Sequence, residues 1–169
     1  GGVEVWTSSQ HPTEVQHLVA SVLDVHFNQV TVQVRRMGGA FGGKESQAAA
    51  LACVAALAAT KTRRAVKYRM RRREDMTRTG KRHDVESSVE LRIDESGIIQ
   101  AASIRLSARC GYSTDLSEGI VDRAMFHADN AYSLGDVCIE GEILKTNTVS
   151  HTAFRGFGGP QGMLAIESA

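Results

Sequence analysis

Met37-Gly38-Gly39-Ala40-Phe41-Gly42-Gly43-Lys44-Glu45 is the stretch on which the reading of this chain turns. Four glycines fall within six positions, a phenylalanine stands between them, and a charged pair follows. Glycine frees the backbone to turn and lets another molecule approach its N–H groups. Ahead of it, Asn28 to Arg36 alternates as a half-buried strand does, with Val30, Val32 and Val34 on one face. Behind it, Ser46 to Thr60 is nearly all alanine, with Leu51, Cys53, Val54 and Leu57. That composition predicts a helix, and the lack of a polar face predicts its burial. A second glycine-rich stretch answers the first, Phe154-Arg155-Gly156-Phe157-Gly158-Gly159-Pro160-Gln161. Two such loops in one small chain point to one site built from both.

Val3 to Thr7 reads as a strand. Pro12 suits the first position of a helix whose apolar face is Val15, Leu18, Val19, Val22 and Leu23. Ala65 to Met70 reads as another strand and Arg71 to Met76 as a short helical turn. Val85 to Ile93 and Ile98 to Ala108 form a hairpin around Asp94-Glu95-Ser96-Gly97. A polar loop from Gly111 to Gly119 leads to a helix over Ile120 to Phe126, and Val137 to Leu144 is a last strand. Pro160 opens a final helix. Strands and helices mix without a clean βαβ repeat, so the expectation is an α+β fold, with mixed sheets packed on helices. The length of 169 residues predicts one domain, 1–169, with any subdivision falling near 80–150.

Composition narrows the function classes. The apolar share of 42% and charged share of 23% are those of a globular domain, and a net charge of +1 gives no case for nucleic acid. Ten Lys or Arg between Arg63 and Arg82 form a basic run, read as a solvated face or a surface meeting another part of the parent protein, because only Tyr68 interleaves an aromatic ring. Cys53, Cys110 and Cys138 are odd in number and far apart, with neither a disulfide framework nor a metal motif. No apolar run reaches the length of a membrane span and no signal peptide precedes the domain, so a cytoplasmic protein is expected. The chain starts without Met and stops within an apparent helix, Met163 to Ala169, so a piece of a larger polypeptide is expected.

The nearest competing motif is the phosphate-binding P-loop. Gly38-x-x-x-x-Gly43-Lys44 matches most of it, between a strand and a helix. A P-loop needs Ser or Thr next, to place a hydroxyl on magnesium. Here that position is Glu45, whose charge repels phosphate. Ser46 comes one residue late, roughly 100° around the helix. The nucleotide triphosphatase reading is therefore disfavoured. The first loop alone leaves two readings about even. It is either a tight turn with Phe41 in the core, or a ligand loop whose amides face an oxygen-rich group. The second loop tips the balance, since Phe157 and Arg155 supply a stacking face and a forked donor for a flat polar ligand.

Both loops, with Ser8-Ser9-Gln10, Arg73-Glu74-Asp75-Met76 and Asp122-Arg123-Ala124-Met125-Phe126-His127-Ala128-Asp129-Asn130, come in one family's order and spacing. Over essentially its whole length the chain resembles the molybdenum hydroxylases of the xanthine dehydrogenase branch, in their molybdopterin-binding part. The resemblance implies hydroxylation of a carbon beside a ring nitrogen, here of a purine (hypoxanthine or xanthine to urate). Gln10, Gly39, Phe41, Gly42, Arg155 and Gly156 are then cofactor-binding, with Gln10, Phe41 and Arg155 around the molybdenum centre. Glu45, Arg123 and Phe157 are then substrate-binding, and Glu45 with Arg123 favours purines over aldehydes. The resemblance puts the catalytic base, a glutamate, beyond Ala169, so no catalytic residue is expected here and Glu167 is not that base. It also puts 2Fe-2S clusters and FAD in other domains or subunits of the parent enzyme. The isolated chain is expected to be inactive. The alternatives are an aldehyde or other N-heterocycle hydroxylase and a non-catalytic scaffold domain, and neither nucleic acid nor membrane is an expected partner.

Overall fold

The structure, a computed structural model, describes residues 2–169. They fall into two compact units, 2–80 and 81–169. No helix among the described residues is long and apolar enough to cross a membrane.

The first unit opens with β1 (Val3–Trp6), α1 (Pro12–Leu23), a short 3-10 turn (Phe27–Gln29) and β2 (Val30–Gln33). The two strands pair in parallel, Val3 with Val30 and Val5 with Val32, so α1 is a βαβ crossover. Pro12 sits at the start of α1, as expected, and Asp24 closes the helix in a left-handed conformation. Then come α2 (Gln47–Thr62) and α3 (Arg72–Arg78). Val5, Val15, Val19, Ala20, Val30, Ala49, Ala52 and Ala56 form the core. Small alanines on α2 let it approach α1 and β1 closely.

Three expectations change here. The buried stripe of α1 runs through Val15, Val19 and Ala20, while Leu18 and Val22 are exposed. Within this unit α2 is buried on one side only, and Val54 and Leu57 remain in solvent. The residues Ala65 to Met70 make no strand. A strand needs a ladder partner, and a groove of about 1100 Å³ separates them from the free edge of β1.

The second unit is a three-stranded sheet in the order β3 (Val85–Ile93), β4 (Ile99–Gly111), β5 (Asp136–Lys145). β3 and β4 are the expected antiparallel hairpin. Asp94 holds its turn, accepting the Ser96 and Ile98 N–H groups at 2.9 and 3.0 Å. The Ser96 hydroxyl, with these amides, lowers the Asp94 carboxyl to about 2. β4 and β5 are parallel, joined over α4 (Ser117–Phe126), so a second βαβ crossover exists where none was expected. The fold class stays α+β, since an antiparallel hairpin shares the sheet. The helix α4 also takes Ser117, Glu118 and Gly119 from the expected polar loop. α5 (Gly159–Glu167) follows, with Pro160 at its start.

One face of β4, Ala102, Ile104 and Leu106, packs with Ala124, Ala128, Leu134, Ala165 and Ile166. The other face is polar, with Arg105 donating to Glu140 at 2.8 Å and Ser107 to Glu142 at 2.5 Å. Gly141 lets α4 lie on β5, because a Cβ there would collide with Val121 and Met125.

Candidate cofactor and substrate site

The two glycine loops are built on one turn. In the first, the Gly43 N–H donates to the Ala40 carbonyl at 2.9 Å, and Glu45 N–H to Gly42 at 3.1 Å. Phe41 and Gly42 both take positive φ, 53° and 93°. In the second, Gly159 N–H donates to Gly156 at 3.0 Å, and Gln161 N–H to Gly158 at 3.1 Å. Phe157 and Gly158 have φ of 48° and 91°. Positive φ at both central residues is the type I′ turn, which glycine adopts freely and phenylalanine does not. Each loop therefore holds its phenylalanine in a strained conformation at the turn's tip, a state that persists only where the surroundings over-determine it. The plain reading of Phe41 as a core residue fails, since it is 65% exposed.

The first loop is braced by the residues that follow β1. Gln10 N–H and the Ser9 hydroxyl donate to the Lys44 carbonyl at 2.9 and 3.2 Å. The Lys44 ammonium donates to the Ser8 hydroxyl at 2.9 Å and to the Met37 carbonyl at 2.7 Å. It is thus turned back against its own loop instead of lining a phosphate cradle, which removes the role a P-loop lysine needs. The Gly42 N–H donates to the Gln10 side chain at 3.0 Å. A donor can face only the amide oxygen, so the Gln10 NH₂ is the end left to donate elsewhere. Beside Gly38 nothing lies within 4 Å of where a Cβ would stand. An amide donor oriented at an open glycine loop fits an oxygen-rich group. Glu45 lies ahead of α2, one residue before its cap Ser46, and not in the helix's first turn.

The second loop is wedged against α4. A Cβ at Gly158 would collide with the Ile120 carbonyl, and one at Gly162 with the Ala124 carbonyl. A Cβ at Gly119 would touch the Phe157 ring at 3.3 Å, so Phe157 lies over the start of α4. The Arg155 side chain is exposed and its carbonyl accepts from the Arg82 guanidinium at 2.9 Å. Arg82 also lies over the Phe154 ring, 4.6 Å from its centre. Arg123 is exposed on α4, and neither an Asp122 nor an Asp129 ion pair engages it among the described residues. Glu45 likewise makes no side-chain hydrogen bond among the described residues. Glu167 is not a free base, since it accepts from Asn130 at 2.6 Å and Tyr132 at 3.1 Å.

The structure therefore groups Gln10, Gly39, Phe41, Gly42 and Glu45 around the first loop, and Arg123, Arg155, Gly156 and Phe157 around the second. Sequence reasoning missed the braces. Arg82 stood in the basic run as one solvated charge among ten. His83, 3% exposed with its Nε2 2.6 Å from the Ser117 hydroxyl, carries no local signal at all. Burial, and then the charge of His151, lower the His83 imidazole to about 4, with Asp115 opposing. Burial, then Arg109 and Lys81, lower His151 as well.

The molybdopterin cofactor-binding domain family matches this chain over residues 1–169. The chain is 43% identical over 168 residues to xanthine dehydrogenase of Emericella nidulans, covering 99% of this chain and 12% of that protein. It is 41% identical over 168 residues to a nicotinate hydroxylase of the same organism, with the same coverage. It thus spans about an eighth of the length of these relatives. Among solved structures, the aldehyde oxidoreductase of Desulfovibrio gigas superposes with a TM-score of 0.85 at 25% identity, over 96% of this chain and 18% of that one. The family match spans the whole chain: the chain belongs to the molybdopterin cofactor-binding domain family of the molybdenum hydroxylases.

Proposed function

We propose that this chain provides cofactor- and purine-recognising residues of a hydroxylase of the xanthine dehydrogenase type. The observation that carries the reading is that Glu45 and Arg123 keep their charged ends uncommitted among the described residues, while polar groups beside them brace the loops. A carboxylate and a guanidinium held in reserve suit a heterocycle with ring N–H donors and exocyclic oxygens.

The cofactor, when bound, supplies the oxygen atom that enters the substrate and accepts the electron pair from the substrate's C–H bond. In this chain the Gln10 NH₂, the backbone of Gly39, Phe41 and Gly42, and the Arg155–Gly156 backbone would hold it. Glu45 accepts a hydrogen bond from the purine and so selects its orientation. Arg123 balances negative charge that builds on a purine oxygen in the transition state, where preorganised charge counts most. Phe157 offers a ring face to the heterocycle. The base comes from another part of the enzyme, as do the 2Fe-2S clusters and FAD that carry electrons away. The parent enzyme acts in the cytoplasm, and this chain alone is catalytically silent.

The same Arg123 suits the carboxylate of nicotinate, the substrate named for one relative. Expression of the full-length enzyme, with molybdenum analysis and turnover of xanthine and nicotinate side by side, separates the readings. Stoichiometric molybdenum with xanthine as the better substrate is expected. A folded enzyme that takes up no molybdenum would leave the scaffold reading instead.

A further inference from the structure

We infer that His83 is a positioning residue, which sets the helix carrying Arg123 against the second glycine loop. This rests on the purine reading above, in which Arg123 and Phe157 touch substrate. His83 precedes β3, yet its ring and its carbonyl reach two later elements. The ring Nε2 pairs with the Ser117 hydroxyl at 2.6 Å, and Ser117 is the fully buried first residue of α4. The carbonyl accepts from Gln161 Nε2 at 3.3 Å, in the first turn of α5 directly behind the loop. The preceding residue, Arg82, donates to the Arg155 carbonyl at 2.9 Å. Two consecutive residues thus hold the start of α4, the loop and the start of α5.

Only a small displacement is needed for an effect. Arg123 stands six residues along α4 from Ser117, about 9 Å at the helical rise. The glycine approaches of the loop to Ile120 and Ala124 make helix and loop move together. A shift of α4 at Ser117 therefore reaches the guanidinium and the Phe157 ring at once, and misplacement on the order of 1 Å can slow turnover up to ~100-fold.

The setting of the ring adds a readout. His151 lies edge-on to His83 at 5.6 Å between ring centres, and its main-chain N–H donates to the Cys110 carbonyl at 2.8 Å. The titratable groups facing the pair are Asp115 ahead of α4, Asp84 at 3.5 Å from His151 Nε2, Arg109 on β4, and Lys81. Burial lowers both imidazoles below the ordinary histidine value. Acid puts a charge on a buried ring beside a second histidine, which loosens the hub.

The test uses the full-length molybdenum-loaded enzyme with His83→Ala and His83→Gln. Gln places an amide near the Nε2 position and cannot titrate. His83→Ala should lower kcat/KM for xanthine roughly tenfold or more and leave a simple aldehyde within about twofold. Amide exchange should rise over 117–126 and 154–161. His83→Gln should restore xanthine turnover and flatten its acid limb. Equal losses on both substrates, unchanged exchange over 117–126, or a His83→Gln variant that neither rescues turnover nor changes the acid limb would overturn the inference. If His83→Ala fails to fold, the rescue and acid limb of His83→Gln decide. The exchange readout needs no substrate, so it stands apart from failure of the purine reading.

Discussion

The two glycine loops share a turn and differ in what holds it. Phe41-Gly42 and Phe157-Gly158 have nearly the same φ pairs and the same two main-chain bonds. The first is held by side chains: Ser8, Ser9, Gln10 and Lys44 lace it with hydrogen bonds, and its Phe41 stands in solvent. The second is held by the absence of side chains, because Gly158 and Gly162 let the backbone touch α4. A glycine motif thus has two separate physical uses. One opens space for a ligand, and the other closes space against the protein itself. Mutations should therefore act sterically in the second loop and chemically in the first.

The largest expected effect is at Gly158→Ala. A Cβ there meets the Ile120 carbonyl and must also adopt a φ of 91°. Strain and overpacking together should destabilise the unit by roughly 3–5 kcal/mol, read as loss of its thermal transition. A fall below 1 kcal/mol would break the steric account.

The next effect is the response to acid. His83 and His151 have folded values below the ordinary histidine value, so their neutral forms stabilise the fold fully above about 6.5. That stability is lost as pH falls toward about 4, the folded value of His83. The loss is on the order of 3 kcal/mol for His83 alone. Denaturant melts at pH 7 and pH 4 check it. His83→Gln should shrink the difference.

A smaller effect is expected at Lys44→Met, which removes two hydrogen bonds from the first loop, worth about 1–2 kcal/mol. Faster amide exchange at Gly42 to Glu45, with the second loop unchanged, is the predicted signature. Smallest of all is Gly38→Ala. Nothing lies within 4 Å of the new Cβ, so only its φ of 71° opposes the change, by about 1 kcal/mol. Gly38→Ala and Gly158→Ala having equal effects would erase the contrast between the loops.

Much of this was legible in the order of residues. The alternation of Val30 and Val32, the Asp94 turn, Pro12 and Pro160 are local signals, and each produced its element at or near the expected place. The glycine loops were visible because composition marks them and their order matched one family. What stayed hidden depends on distant partners. Ala65 to Met70 has a strand's residues but no ladder, since pairing is decided at the edge of β1 and not within the segment. The parallel pairing of β1 with β2 and β4 with β5 is likewise a relation between remote strands. Leu18, Val22, Val54 and Leu57 looked buried because periodicity records that a face is apolar, not what covers it. His83 and Ser117 are ordinary in their own neighbourhoods and become a pair only when folding brings residues 34 apart within 2.6 Å.

In the proposed function the uncommitted Glu45 is a purine contact beside a cofactor loop. That contact is tested most directly by the ratio of kcat/KM for xanthine to that for a simple aldehyde, in the full-length enzyme with and without Glu45→Ala. Loss of a hydrogen bond to a charged group corresponds to roughly 10- to 100-fold. The ratio should fall by that factor, with molybdenum content unchanged. An unchanged ratio, with both substrates losing equally, would contradict the claim and leave Glu45 as a structural residue of the first loop.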